Sequence, residues 1–382
     1  MDFGRLPMSG SYLISPSQLP PVWRHRLWYC QACGLVHREL PVGDEAFEYT
    51  SQIRSTAGQM PDYAPELAES LVRLGVGGDK LIVDIGGNDG AFLTLLEQAG
   101  FSQRLNVEPG RALAEISQRA GHPTECCYFG PETARRMLQK HGPAGAVVCR
   151  HVMEHLEHPE DLLAGAKELL SPDGLLLLET PDAEETLQNL VVHELWDQHL
   201  FHFADIHLRA MLAAHGWQTL ETDSRYHRGG RNLLVWARKP SQEVRPLAEV
   251  TGSQVEACRT FRSRWQTLSA DVRRAFQGWK PPIALLGASH PQINFCLFTG
   301  AGPWVDLLVD DDQAKCGLWA PLPNPTPIVS TAQLLDGPPP ATIVFSAFGC
   351  DSWIQRVRQE LEPKGVACRE PYPFQDHVRP NN

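Results

Sequence analysis

The residues best placed for chemistry form a glycine-rich turn between a buried strand and a helix. An apolar run over residues 81–85 leads into the turn, and a helical pattern over residues 91–98 follows it. Glycine lets the backbone bend sharply and come close to a ligand at the N-terminus of a helix. The positions that carry this prediction are Asp84, Gly86, Gly87, Asn88 and Gly90.

The spacing of these glycines differs from the G-x-G-x-x-G of a dinucleotide-binding turn. Asp84 on the strand and Asn88 in the turn suit a ligand with an ammonium group better than a pyrophosphate. Glu108 ends the next apolar run, near the spacing of about 20 residues at which an acidic residue accepts hydrogen bonds from ribose hydroxyls. An ammonium group together with a ribose is typical of S-adenosylmethionine, which we predict as the cofactor. The alternative is a tight turn that binds nothing and a solvated Glu108.

A third polar group follows the apolar run over residues 146–149. Arg150, His151 and His155 lie directly after it. Ligands of doubly wound sheets bind in the crevice beyond the carboxyl ends of the strands, so these side chains should face the cofactor. The alternative for each histidine is a structural role.

The elements that position these groups alternate between strands and helices from residue 80 onward. Fully apolar strands separated by helices predict an α/β fold with a parallel, doubly wound sheet. A second set of apolar runs, over residues 282–286, 305–309 and 342–346, predicts a C-terminal Rossmann-like domain.

The N-terminal part has a different composition, since it is rich in Pro, Trp and short β-like runs. This pattern predicts a small β domain. The proline-rich stretches 321–327 and 338–340 are predicted to be loops, because Pro lacks the donor that a central strand needs. The predicted domains are residues 1–60, 61–240 and 241–382.

Composition argues against several classes of function. The chain has 34 Lys and Arg against 45 Asp and Glu, a net charge of -11, which disfavours nucleic-acid binding. No apolar run approaches the ~20 residues of a membrane-spanning helix. Scattered cysteines and the lack of a leader pattern predict a reducing, cytoplasmic compartment.

Several motifs, in a specific order along nearly the whole chain, resemble one family. It is the family of S-adenosylmethionine-dependent C-methyltransferases that act on nucleotide-linked keto-sugars. The resemblance implies a class I methyltransferase sheet between a small zinc-binding N-terminal domain and a C-terminal Rossmann-like domain that helps to hold the nucleotide-sugar. The motifs are Phe3-Gly-Arg-Leu-Pro7, Cys30-Gln-Ala-Cys33, Asp84-Ile-Gly-Gly-Asn-Asp-Gly90, Val107-Glu-Pro109, Phe129-Gly-Pro-Glu-Thr-Ala134, His199-Leu-Phe-His-Phe203, Leu286-Gly-Ala-Ser289 and Val309-Asp310. Phe129 is thereby predicted to contact the cofactor.

The zinc-binding part departs from the family, because only one pair of cysteines, Cys30 and Cys33, is present. A structural zinc ion usually has four ligands, and the nearest further candidates are His25 and His37. The alternative is a hairpin without metal.

The catalytic cluster departs from the family as well. The family's Tyr-x-Glu-His segment reads Trp196-Asp-Gln198-His199 here. The resemblance implies that His199 is the base that removes the proton beside the sugar ketone, with His155 and Tyr49 as pocket residues. A carboxylate commonly orients such an imidazole, and Gln198 cannot stabilise its charged form in the same way.

These departures keep two alternatives open. One is a methyltransferase for O, N or S of a different small molecule, such as a natural product, and the other is a binding protein without activity. If the acceptor carries a diphosphate, the nearest cationic cluster is Arg225, Arg228 and Arg231.

Overall fold

A computed structural model describes residues 1–38, 60–191, 194–195, 198–227, 230–239, 252–347 and 350–370. Strands in these segments form three sheets. Tyr49, Trp196 and Arg228, to which the sequence assigns roles, lie outside the described residues.

The N-terminal sheet is built from short antiparallel strands. Three of them come from the start of the chain, and the fourth comes from the segment that follows His199. The order is β1 (Asp2–Pro7), β2 (Val22–Tyr29), β3 (Val36–Arg38) and β9 (Phe201–His202). The segment that follows His199 is therefore joined by backbone hydrogen bonds to the N-terminal part.

The central sheet has seven strands in the order β10-β11-β8-β7-β4-β5-β6. The predicted doubly wound fold is confirmed, but the sheet is mixed rather than wholly parallel. β11 runs antiparallel to β8, and β10 pairs antiparallel with β11 at the edge of the sheet. The strands are β4 (Leu81–Ile85), β5 (Gln103–Val107), β6 (Thr124–Glu125), β7 (Ala144–Arg150), β8 (Leu170–Pro181), β10 (Gln218–His227) and β11 (Gly230–Arg238).

Helices cover both faces of this sheet, so its inner strands are buried on both sides. Val83 packs into the core on one face and Ile82 into the core on the other. The helices are α1 (Ala64–Arg73), α2 (Ala91–Gln98), α3 (Arg111–Arg119), α4 (Pro131–His141), α5 (Pro159–Leu169), α6 (Ala183–Asn189) and α7 (Asp205–Ala214).

A long helix, α8 (Gly252–Gly278), precedes the C-terminal sheet, whose order is β14-β15-β13-β12-β16-β17. All of its pairings are parallel except that of β14 with β15, which confirms the Rossmann-like prediction. The elements are β12 (Ile283–Leu286), α9 (His290–Thr299), β13 (Leu307–Val309), β14 (Trp319–Ala320), β15 (Thr326–Val329), α10 (Thr331–Asp336), β16 (Thr342–Phe345), α11 (Asp351–Leu361) and β17 (Ala367–Arg369).

The loop predicted over residues 321–327 is wrong at its end, because Pro327 lies within β15. Pairing of β15 with β13 starts only at Ile328, so the missing N–H of Pro327 costs that ladder nothing. Among the described helices, none is long and apolar enough to cross a membrane.

Candidate active site

The predicted cofactor turn lies at the carboxyl end of β4. Gly86 has φ +65° and Gly90 has φ +85°, a left-handed backbone that favours glycine. A Cβ on Gly87 would stand 2.7 Å from Oδ2 of Asp84. A Cβ on Gly86 would collide with Val152, in the loop after β7. The turn is therefore held close to the strand edge and to the loop that carries His155.

Asp84 is a buried carboxyl at the base of this turn. Burial raises its pKa to about 7, and the nearby carboxylates of Glu108 and Glu179 act in the same direction. Arg150 opposes this shift. A cationic group of a ligand beside Asp84 would favour its ionised form.

Glu108 shapes the turn from the neighbouring strand edge. Its carboxylate accepts hydrogen bonds from the backbone N–H of Asn88 at 3.1 Å and of Gly110 at 2.8 Å. Burial raises the pKa of Glu108. An ionised carboxylate has about four acceptor positions, so two of them stay available for hydroxyl groups of a ligand.

Asn106 adds a polar atom that the sequence reasoning missed. Its side-chain Nδ2 donates to the carbonyl of Asn88 at 2.9 Å. Its Oδ1 is buried and accepts no hydrogen bond within the described part of the chain. The glycine cradle, Glu108 and this amide oxygen fit a ligand that offers both a polar headgroup and hydroxyls.

Arg150 does not present an unpaired charge to the crevice, because its Nε donates to Glu179 at 2.6 Å. Glu179 lies in β8, two residues before its end, and is fully buried. It also accepts hydrogen bonds from Tyr63 at 2.6 Å and Asn232 at 3.2 Å. Burial opposes ionisation, but Arg150 and His151 hold the pKa of Glu179 well below its usual range. The sequence reasoning missed Glu179, although it follows an apolar run in the sequence just as Glu108 does.

His151 directly follows β7 and has a left-handed φ of 53°. Its Nε2 is 3.2 Å from Glu179 and its Nδ1 is 3.5 Å from Glu154. Burial favours the neutral ring, but the two carboxylates outweigh it and raise the pKa of His151 to about 10. We therefore treat His151 as a cation rather than as a base.

His155 and His199 form a pair of imidazoles with ring centroids 4.8 Å apart. Nδ1 of His155 donates to the carbonyl of Gln198 at 3.1 Å, and Nδ1 of His199 donates to the carbonyl of Glu194 at 3.3 Å. A carbonyl only accepts, so each neutral ring carries its lone pair on Nε2. Burial, with the nearby His155 and His202, holds the pKa of His199 well below its usual value. His199 is therefore neutral near pH 7.

Two carboxyl groups that the sequence reasoning passed over lie beside this pair. Glu154 is 1% exposed. One of its carboxylate oxygens, one nitrogen of His155 and one nitrogen of His199 lie within 4.8 Å of one another. Glu194 lies against the start of β11, since a Cβ on Gly230 would stand 2.5 Å from its Oε1. Burial raises the pKa of Glu194 to about 7. Both groups follow apolar segments, but nothing in their spacing marks them.

The remaining predicted residues take up varied positions. Gln198 is buried and contacts His155 through its backbone carbonyl. Phe129 is partly buried against the central core, and a Cβ on Gly165 of α5 would stand 2.9 Å from its ring. Its proposed cofactor contact stays a prediction, as do the roles of Tyr49 and Trp196.

The Cys30–Cys33 segment forms a turn in which Gly34 N–H donates to the Cys30 carbonyl at 2.8 Å. His25 does not join it, because its ring nitrogens contact Arg38 at 2.6 Å and the Leu6 carbonyl at 3.2 Å. Within the described ranges, no third ligand completes a metal-binding group with the two cysteines.

The cationic cluster proposed for a diphosphate is largely neutralised by local ion pairs. Arg231 lies 2.9 Å from Asp182, and Arg225 lies 2.6 Å from Asp223. A phosphate at this position would have to compete with these carboxylates.

Comparison with known proteins matches the part of the chain that contains the glycine-rich turn. A family profile described as a methyltransferase domain matches residues 59–222. The chain is 27% identical over 326 residues to the C-methyltransferase NovU of Streptomyces niveus. The alignment covers 78% of this chain and 77% of that protein.

Two solved structures match about half of this chain at lower sequence identity. One is the 1,6-didemethyltoxoflavin-N1-methyltransferase of Burkholderia thailandensis, with 16% identity, a TM-score of 0.39, and coverage of 54% of this chain and 95% of that chain. The other is the magnesium protoporphyrin IX methyltransferase of Synechocystis PCC 6803, with 13% identity, a TM-score of 0.36, and coverage of 53% and 86%.

The central sheet has the strand order of a class I methyltransferase, and its cofactor turn lies within the matched domain. The chain is a methyltransferase that uses S-adenosylmethionine and acts on a small molecule.

Proposed function

We propose that the protein methylates a carbon atom of a nucleotide-linked keto-sugar and that His199 removes the proton from that carbon. The observation that supports this proposal most directly is the His155–His199 pair, in which His199 is buried and His155 half-buried, close to the glycine-rich turn. The 27% identity to a protein named as a C-methyltransferase supports transfer to carbon.

The chemistry requires a base because a C–H bond beside a ketone is not itself a nucleophile. His199 is suited to this role since its ring is neutral and its Nδ1–H is directed to a backbone carbonyl. The imidazolium formed by proton uptake would be stabilised by the Glu154 carboxylate nearby. A carboxylate thus stands near the base although Gln198 replaces the family's Glu.

The cofactor site is proposed to use the groups gathered at the carboxyl edge of the central sheet. Asp84 would bind the ammonium group, and Glu108 would bind the ribose hydroxyls through its two remaining acceptor positions. When bound, S-adenosylmethionine supplies an electrophilic methyl group. The protein's own task is then to align the acceptor carbon and exclude water from it.

Transfer to O, N or S of another acceptor is the second candidate. This candidate is favoured by the replacement of the family's Glu by Gln198. The contact of Gln198 with His155 is made by its backbone carbonyl, so position 198 supplies no carboxylate to the histidine pair. An acidic hydroxyl or a neutral amine needs only one base or none.

The experiment supplies S-adenosylmethionine labelled with ¹³C in its methyl group together with a dTDP-4-keto-sugar, and product is examined by NMR. We expect a methyl signal coupled to a ring carbon next to the ketone. The His199→Asn variant should lose this product and still bind S-adenosylmethionine, whereas His158→Asn, an exposed histidine nearby, should keep it. A label on oxygen, nitrogen or sulfur would overturn carbon methylation.

A further inference from the structure

Three side chains of the candidate active site are close enough together to hold a metal ion. Glu154, His155 and His199 each offer one ligand atom, and these atoms lie within 4.8 Å of one another. Across the part of the chain that the structure describes, this is the only such group of three or more. Two imidazoles and one carboxylate form a ligand set known from catalytic zinc sites, which leave a further position open.

The two histidines are oriented as metal-binding histidines usually are. Such a histidine directs its second N–H to a carboxylate, a backbone carbonyl or water, which fixes the ring and its tautomer. Here Nδ1 of His155 donates to Gln198 and Nδ1 of His199 donates to Glu194, both at the backbone carbonyl. Nε2 is then the nitrogen that would bind a metal ion.

Glu154 provides an independent observation. It is 1% exposed, and neither carboxylate oxygen receives a hydrogen bond from the described residues. The cation recorded next to it is Nδ1 of His151 at 3.5 Å. Burying an ionised carboxylate without hydrogen bonds is costly, and a divalent cation would offset that cost.

We propose that Glu154, His155 and His199 bind a divalent transition-metal ion such as Zn²⁺ or Co²⁺, and that the metal-bound form cannot act as the base. Imidazole ligands favour these ions over Mg²⁺ or Ca²⁺, which prefer oxygen. A coordinate bond uses the same Nε2 lone pair that would accept the substrate proton. Metal ion and proton therefore compete for His199. The metal site goes beyond the proposed function, and only the competition rests on it.

Cobalt titration tests the site without any acceptor. In a Cys30→Ser/Cys33→Ser background, which removes the sulfur-to-metal charge-transfer bands of that turn, Co²⁺ should give visible d–d absorption. Glu154→Gln, His155→Asn and His199→Asn should each weaken Co²⁺ binding by about 100-fold or more. Loss of a residue that only hydrogen-bonds to a metal ligand already weakens metal binding by about 10–100-fold. Glu157→Gln and His158→Asn, both exposed in the same loop, should leave it unchanged.

Circular dichroism of each variant checks the fold, and a variant that fails to fold is replaced by either of the other two ligand variants. Absence of the visible bands, or equal Co²⁺ affinity in the folded ligand variants, would overturn the metal site. Because no acceptor is present, this result is independent of the proposed carbon methylation.

The competition is tested by adding Zn²⁺ to an assay of hydrogen exchange at the acceptor carbon. Exchange should fall to the level of His199→Asn and return when EDTA is added. Undiminished exchange at a Zn²⁺ concentration that displaces Co²⁺ from the site would overturn the competition.

Discussion

Replacement of Glu108 by Gln should weaken S-adenosylmethionine binding by one to two orders of magnitude. Glu108 accepts hydrogen bonds from the backbone of Asn88 and Gly110, one on each carboxylate oxygen. Gln has only one acceptor oxygen, so one of these contacts and at least one hydroxyl contact are lost. A hydrogen bond to a charged group contributes about 1.5–3 kcal/mol, which corresponds to about 10–150-fold in affinity.

Isothermal titration calorimetry with two ligands separates the two effects of this change. S-adenosylhomocysteine is compared with an analogue that lacks the ribose hydroxyls, in the wild type and in Glu108→Gln. The wild type should bind the analogue more weakly than S-adenosylhomocysteine, and the variant should hardly distinguish them. Glu115→Gln, an exposed glutamate on α3, serves as the matched control.

Two results would refute this reasoning. Unchanged affinity in Glu108→Gln would show that Glu108 does not contribute to the cofactor site. Equal losses for both ligands would show that Glu108 acts only by holding the turn through Asn88 and Gly110.

Three further predictions concern the same edge of the sheet. Gly90→Ala should lower the free energy of unfolding by about 1–3 kcal/mol in urea denaturation, because its φ of +85° is strained for any side chain; a neutral effect would contradict the turn geometry. Glu179→Gln should lower the same quantity by about 3–5 kcal/mol because Arg150 loses its buried partner; a loss below about 1 kcal/mol, typical of an exposed pair, would contradict this. Burial holds the pKa of Asp84 at about 7, so the free protein must release a proton to bind an ammonium group. S-adenosylmethionine affinity should therefore rise toward about tenfold per pH unit below pH 7, level off above it, and lose this slope in Asp84→Asn.

The elements of the central domain were predictable because its strands are apolar on both faces. β4 and α2 begin and end as the sequence predicts. The antiparallel placement of β11 was not predictable, since strand direction depends on the hairpin with β10 and not on the apolar pattern. Pro327 was misassigned because its effect depends on where pairing with the neighbouring strand starts.

The site was predictable where chemistry follows from position along one strand. Asp84 and Glu108 lie at neighbouring strand ends, as their spacing predicts. The ion pair of Arg150 with Glu179 depends on which strands become neighbours, and β7 lies beside β8 only in the folded sheet. The approach of Glu154 to His199 likewise joins two loops that are distant in sequence, so no local motif indicates it.

The most direct test of the proposed chemistry is deuterium wash-in at the acceptor carbon. The protein is incubated in D₂O with S-adenosylhomocysteine and a dTDP-4-keto-sugar, and exchange beside the ketone is followed by NMR. The account predicts exchange in the wild type, none in His199→Asn, and no loss of rate between pH 8 and the ordinary histidine pKa of about 6.5, since the pKa of His199 lies below its usual value. Absence of exchange in wild-type protein shown to bind S-adenosylhomocysteine, or exchange that persists in His199→Asn, would contradict it.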